Sequence, residues 1–311
     1  MRRRSRRERA AQKPLPSRAA AAGTAVARRT LRIRGWRSVQ GFGLVFYNFP
    51  GHSLEQFAQY AGQAGFAYCE IMVGHLWNEK DPGDYAEARA DEVGALLRQH
   101  GLRPSAVAAG NDFLRADEAE RQRQVERLKR VCRLARLAGT DLIRIDGGWI
   151  REGVSQDREE WFRRIVQGLT AVRPFIEAEG YTLALDNHGL VTNDADFQVR
   201  ILEAVGSPRV GANVDTMNYR WAGHDLDTVA RYYHVIAPYA RHVHVKDGRG
   251  SRETYRGTVL GEGEIDLEGA VAELRAAHYQ GPWCVEFEGE RARAEEGYRQ
   301  GLEWLRAHVG A

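Results

Sequence analysis

Four short apolar runs in the chain each end in a side chain able to bind a metal ion. They are Leu185-Asp186-Asn187-His188, Val214-Asp215-Thr216, Arg241-His242-Val243-His244-Val245-Lys246-Asp247 and Val285-Glu286-Phe287-Glu288. Asp186, Asp215, His244 and Glu286 follow one another at intervals of 29, 29 and 42 residues. If each run is one strand of a parallel barrel, the four side chains emerge at the same rim. Carboxylates converging there repel one another unless a cation lies between them. A donor set of three carboxylates and one imidazole, without sulfur, suits a hard or borderline octahedral ion. Manganese is the first expectation; magnesium, cobalt or zinc could substitute. Singly, each residue also has a plain reading. His244 could be a satisfied core histidine, and Asp215 or Glu286 could cap a helix or join an ion pair.

The elements that must carry these residues alternate from Gly41 onward. Strand-like runs cover 43–48, 68–73, 105–109, 142–146, 182–187, 210–215, 242–246 and 283–288. Helical stretches cover 54–63, 85–99, 116–137, 159–178, 194–205, 226–236, 267–278 and 294–308. Val125, Leu128, Cys132 and Ala135 recur at helical steps of three and four. Ser53 reads as a helix cap, and Gly101, Gly139 and Gly180 as helix stops. Eight strand–helix pairs predict an α/β fold, a (β/α)8 TIM barrel. An open doubly wound sheet is disfavoured, because no glycine-rich phosphate loop follows the first strand.

Further polar residues fall at the same rim. Glu70 lies in the second strand, with His75, Trp77 and Asn78 after it. Asn111 and Asp112 follow the third strand, and Asp146-Gly147-Gly148-Trp149 ends the fourth. His188, Asn218, Lys246 and Arg249 stand at or beyond the ends of the fifth, sixth and seventh. Glu70, His75, Trp77, Asn111, Trp149, Asn218, Lys246 and Arg249 are the candidate substrate contacts. Trp77 and Trp149 could wall a sugar pocket. Asp247 could orient Lys246 or His242.

Composition narrows the partners. Hydrophobic residues make up 43% of the chain and charged ones 28%, as in an ordinary globular protein. No apolar stretch is long enough to span a membrane. The three cysteines are far apart and form no disulfide framework, which favours the reducing cytoplasm. Residues 1–37 hold twelve arginines and one lysine against Glu8 alone, so the remainder sums to −9. The expected organisation is a disordered basic extension over 1–37 and one catalytic barrel over 38–311. Arg6-Arg7 gives that extension a minor reading as a twin-arginine export signal. An acidic barrel opposes a nucleic-acid backbone.

At these motifs, together with Gly261-Glu262-Gly263-Glu264-Ile265-Asp266, the chain resembles the xylose-isomerase-like TIM barrel superfamily, the sugar phosphate isomerase/epimerase family. The resemblance runs from about Gly41 to the C-terminus. It implies that Asp186, Asp215, His244 and Glu286 bind a divalent cation, commonly manganese. It also implies that the first and last carboxylates act as acid and base, and that His188 contacts substrate. Two positions depart from the family pattern. Asp186 stands where glutamate is usual, and Asn218 stands where the ketose 3-epimerases place a histidine.

The chemistry so implied is removal of a proton beside a ketone, the resulting enolate being stabilised by the metal. Glu286 is the expected base, with Asp186 or His188 handling the proton on the opposite face. The leading expectation is a metal-dependent isomerase or epimerase of a small sugar or sugar-like ketone. The alternative is a lyase or dehydratase on a 3-keto sugar. That enzyme would be inosose-dehydratase-like, or the barrel subunit of an enzyme cleaving C-glycosides with a small partner subunit. Barrels of this kind also form homo-oligomers. A repair enzyme like endonuclease IV is disfavoured, since its three-metal cluster needs more ligands than these motifs provide. A catalytically dead binding barrel is the remaining reading.

Overall fold

The structure, a computed structural model, describes residues 41–49, 51–78 and 85–310. The basic extension 1–37 and its export-signal reading lie outside the described residues. The eight expected strands are all present. They are β1 (Phe42–Val45), β2 (Tyr68–Met72), β3 (Arg103–Ala108), β4 (Leu142–Ile145), β5 (Thr182–Asp186), β6 (Val210–Asp215), β7 (Ala240–Val245) and β8 (Trp283–Val285). Each pairs in parallel with its neighbours, and β8 returns to β1 to close the barrel. The (β/α)8 fold read from the alternation is the observed one.

Eight helices ring the strands: α1 (Leu54–Ala64), α2 (Tyr85–Gln99), α3 (Glu118–Ala138), α4 (Arg158–Glu179), α5 (Ala195–Val205), α6 (Leu226–Ile236), α7 (Leu267–Ala276) and α8 (Ala294–His308). Their ends follow local chemistry. Ser53 caps α1 in a reciprocal box with Gln56. Asp117, Asp157, Asp194, Asp225 and Asp266 cap later helices, each accepting a backbone N–H of the first turn. Gly139 and Gly180 end α3 and α4 in the left-handed conformation, at φ 114° and 84°. Among the described residues, several short elements escaped the sequence pattern, two of them near the rim. One is an antiparallel hairpin, Asp247–Arg249 with Arg256–Thr258; the other is a helical turn, Asn218–Trp221.

Strand alternation divides the side chains into two shells. Val214, Val243, Val245 and Val285 join the large core between strands and helices. The alternate positions point into the barrel. At its floor Ala106, Leu142 and Ala184 form a small apolar cluster of their own. Above it the inward positions are polar: Arg144, Asp186, Asn213, Asp215, His242 and His244. Ala108 and Ala184 flank Arg144 in register on β3 and β5, and side chains this small leave room for its guanidinium. Among the described residues no helix is long and apolar enough to cross a membrane. The cysteines are buried and free.

One contact holds α4 against the barrel's upper edge. Gly168 packs on the ring of buried Phe113, where an added Cβ would meet Cδ1 at 2.3 Å. Gly168→Ala should gain about 1 kcal/mol of helix propensity and lose about 1–3 kcal/mol to overpacking. The expected result is a lower urea midpoint; a raised midpoint would contradict this packing.

Candidate active site

The C-terminal ends of β5 to β8 converge as the motif spacing requires. His244 Nδ1 lies 2.8 Å from Glu286 Oε2 and 3.8 Å from Asp215 Oδ2. Ligand atoms of these three residues all fall within 4.8 Å of one another. The Asp215 carboxylate is built in: Oδ1 accepts from the backbone N–H groups of Met217 and Asn218, both at 2.9 Å. Oδ2 is buried and accepts no hydrogen bond. Its cationic neighbour is Lys246 Nζ, 3.1 Å away but off the line a hydrogen bond needs. Asn187 steadies the same strand end, donating to the Asp215 carbonyl and accepting from its N–H. Thr216 ties β6 to β7 by bonding both backbone groups of Lys246.

Asp186 faces the same interior but is otherwise engaged. Arg144 Nη1 donates to its Oδ2 at 2.5 Å, and Asn213 Nδ2 donates to Oδ1 at 2.6 Å. Each oxygen therefore already accepts one hydrogen bond from the protein. Asp186 lies outside the cluster of Asp215, His244 and Glu286, and a cation there would share its carboxylate with Arg144 and Asn213.

Burial and charge set the protonation of this network. Burial disfavours a charged imidazole at His244, yet Glu70, Asp215 and Glu286 outweigh it and hold that ring well above its ordinary pKa. His242 shows the opposite balance: burial dominates and brings it down to about 3, so it is neutral. Burial would raise Glu286, but Lys246 and His244 hold it well below the usual carboxylate range. Asp146 is raised by burial, with Asp186 adding like charge against the relief from Arg144. Its Oδ1 is buried without a hydrogen-bond partner.

The expected substrate contacts divide. Trp149 is 39% exposed and packs edge-on against the exposed His188, ring centroids 5.2 Å apart. These two line the mouth. Glu70 lies beneath it, fully buried between Arg144 and His244, where no substrate reaches. Asn111 is likewise buried, both ends of its amide spent on the backbone of Asp146. Asn218 is buried and starts the helical turn through the N–H that binds Asp215. His75 is neutral through burial, stacked on Phe46, its Nδ1 accepting from the Met72 N–H. Trp77 lies under the Arg130 guanidinium, 4.5 Å from centroid to Cζ, against α3 rather than the mouth. Arg249 is exposed on the hairpin and donates to the Glu262 carbonyl.

Lys246 is 2% exposed and sits among carboxylates, 3.1 Å from Asp215, 3.4 Å from Glu286 and 3.3 Å from Glu288. Asp247 orients neither Lys246 nor His242. Its carboxylate collects the N–H groups of Gly248, Gly261 and Gly263 and so folds the Gly261–Asp266 motif over the rim. Gly263 must be glycine there, since a Cβ would stand 1.8 Å from Asp247 Oδ1. Asp112 bonds the N–H groups of Leu114 and Trp149 and pairs with Arg115 and Arg151, which fixes the Trp149 loop.

The sequence model of the xylose isomerase-like TIM barrel family matches residues 58–308. The chain belongs to this family. No curated protein matches it in sequence. Among solved structures it is similar to D-psicose 3-epimerase from Clostridium cellulolyticum H10, solved with D-tagatose. Identity there is 16%, covering 87% of this chain and 100% of that one, with a TM-score of 0.71. An IOLI protein with a bound zinc atom is 18% identical over 86% of this chain and 98% of its own, with a TM-score of 0.70. L-ribulose 3-epimerase is 18% identical over 88% and 94%, with a TM-score of 0.66. At such identities the likeness is one of fold.

The donor atoms suit a divalent ion. Two ligands at right angles on one ion, each about 2.1 Å from it, stand about 3 Å apart, and the 2.8 and 3.8 Å spacings around His244 Nδ1 bracket that value. Asp215 Oδ2 accepts no hydrogen bond and keeps a lone pair for a cation beside Lys246. Without an ion, Lys246 and the His244 ring are the cationic groups beside Asp215 and Glu286. Lys246→Met should therefore destabilise chelator-treated protein by about 3–5 kcal/mol, the cost of leaving buried carboxylates unpaired. Thermal unfolding with and without manganese checks this; an unchanged midpoint in chelator would contradict it.

Proposed function

We propose that this barrel is a divalent-metal-dependent isomerase or epimerase of a small sugar or sugar-like ketone. The observation that carries the proposal is the convergence of Asp215, His244 and Glu286 around an unsatisfied carboxylate oxygen at the catalytic rim. Two comparisons support it: the epimerases among its structural neighbours, and the neighbour that holds zinc. Asp215, His244 and Glu286 would hold the ion, with Asp186 a fourth ligand if its carboxylate turns toward it. Manganese is the first choice for this oxygen-rich set, and zinc, magnesium and cobalt are compatible. Bound there, a divalent cation would polarise a substrate carbonyl and favour negative charge on its oxygen.

The protein's own groups then have separable tasks. Glu286, kept ionised by Lys246 and His244, takes the proton from the carbon beside the carbonyl. The opposite face presents Asp186, Asp146 and His188. His188 is the exposed group among them and is assigned the return of a proton, braced by Trp149. Trp149 also offers an apolar face to a sugar ring and shields the reacting carbon from water. Return to the same carbon on its other face gives an epimer; delivery to the adjacent carbon gives an aldose.

One observation favours the lyase reading as second. Tyr47, Trp149 and Leu190 follow β1, β4 and β5 at this rim and are 40%, 39% and 47% exposed. That is more apolar surface than a free sugar needs, and it would suit a 3-keto glycoside carrying an apolar group.

The discriminating experiment uses manganese-loaded protein in deuterated solvent with a panel of ketoses and 3-keto glycosides, followed by NMR. Deuterium appearing beside the carbonyl, with new sugar isomers, is expected. Glu286→Gln should slow that exchange by about 100- to 10,000-fold, the usual worth of a positioned base. Release of an aglycone or an enone would transfer the assignment to a lyase. Exchange at the wild-type rate in Glu286→Gln would remove Glu286 as base.

A further inference from the structure

Glu70 takes no part in the chemistry just assigned, yet it is fully enclosed in the barrel interior. A carboxylate taken out of water needs strong partners. Each of its oxygens has one. Oε1 accepts from Arg144 Nε at 2.7 Å, and Oε2 lies 2.7 Å from His244 Nε2. Glu70 therefore accepts from both neighbours.

That bond selects between the two nitrogens of His244. Once the ring gives up its second proton to a cation site, donation of Nε2–H to the carboxylate leaves Nδ1 as the bare nitrogen on the other side. Nδ1 is the atom 2.8 Å from Glu286 Oε2 and 3.8 Å from Asp215 Oδ2. Arg144 holds the remaining Glu70 oxygen and also reaches Asp186, so the acceptor is fixed from β4.

We propose that Glu70 is the positioning residue for His244: it accepts the Nε2–H, fixes tautomer and ring orientation, and so aims Nδ1 as the nitrogen ligand of the cation. This rests on the reading of Asp215, His244 and Glu286 as a cation site. The same atoms could suggest a second ion among Glu70, His242 and His244, whose ligand atoms also cluster within 4.8 Å. The surroundings oppose it. The guanidinium of Arg144 already places a positive charge on Glu70, and His242 Nδ1 is occupied by Asn213 Oδ1 at 2.9 Å.

The test measures binding and tautomer rather than turnover. Titration calorimetry of the full chain with manganese compares wild type, Glu70→Gln and Glu70→Asp. The aspartate keeps a charge for Arg144 but falls one methylene short of His244. Both variants are expected to bind manganese 10- to 100-fold more weakly, the usual effect of removing a ligand's own hydrogen-bond partner. Imidazole 15N spectra of zinc-loaded wild type are expected to show His244 with Nδ1 on the metal and Nε2 protonated. Variants that bind manganese within twofold of wild type, or merely melt earlier with affinity unchanged, would overturn the proposal while leaving the cation site standing. So would a zinc-loaded wild type with Nε2 on the metal, whatever the variants do. A wild type that binds neither ion removes the cation reading and this proposal together.

Discussion

Buried charge is the constraint on which this barrel depends. Glu70, Asp146, Asp186, Asp215, Glu286 and Glu288 share its upper interior with the guanidinium of Arg144, the ammonium of Lys246 and two imidazoles. Carboxylates so enclosed are tolerated only when cations and donors meet them. The protein divides them into two groups. Arg144 serves Glu70, Asp146 and Asp186 on the β2–β5 side; Lys246 serves Asp215, Glu286 and Glu288 on the β6–β8 side. His244 stands on the boundary, one nitrogen toward each group. A divalent cation on the second side would complete a balance that Lys246 only begins.

The fold makes this arrangement inexpensive to build. Parallel strands in register send alternate residues inward, so His242, His244 and Lys246 stack as successive levels of one wall. Alanines beside Arg144 leave it the space its head group needs. The loops above add a few exposed groups, chiefly Trp149 and His188, over machinery that is otherwise closed to solvent.

Much of this was legible in the chain. Strand ends carrying Asp186, Asp215, His244 and Glu286 betray themselves because each polar group terminates an apolar run. The eightfold alternation follows from element lengths and from caps such as Ser53. Residues inside the runs were harder to read. Arg144 is flanked by isoleucines in a four-residue strand, and only its neighbours across the sheet reveal that it faces inward. An arginine in so short an apolar run was the available signal. Glu70 was visible, but its depth was not, since position along a strand does not say how far below the rim a side chain ends. The roles of Asn111 and Asp247 depend on backbone groups 35 and 14–16 residues away, which no local pattern encodes. Asp186 is the sharpest case: its place on the wall was readable, but its capture by Arg144 needed the third dimension.

The central claim is that Asp215, His244 and Glu286 form one divalent-cation site. It is tested most directly by the metal content of the intact chain after equilibration with manganese and removal of free ion. Elemental analysis should find close to one manganese per chain, and Asp215→Asn should lose it while still folding. A wild-type chain that retains no manganese, zinc, magnesium or cobalt under these conditions would contradict the account.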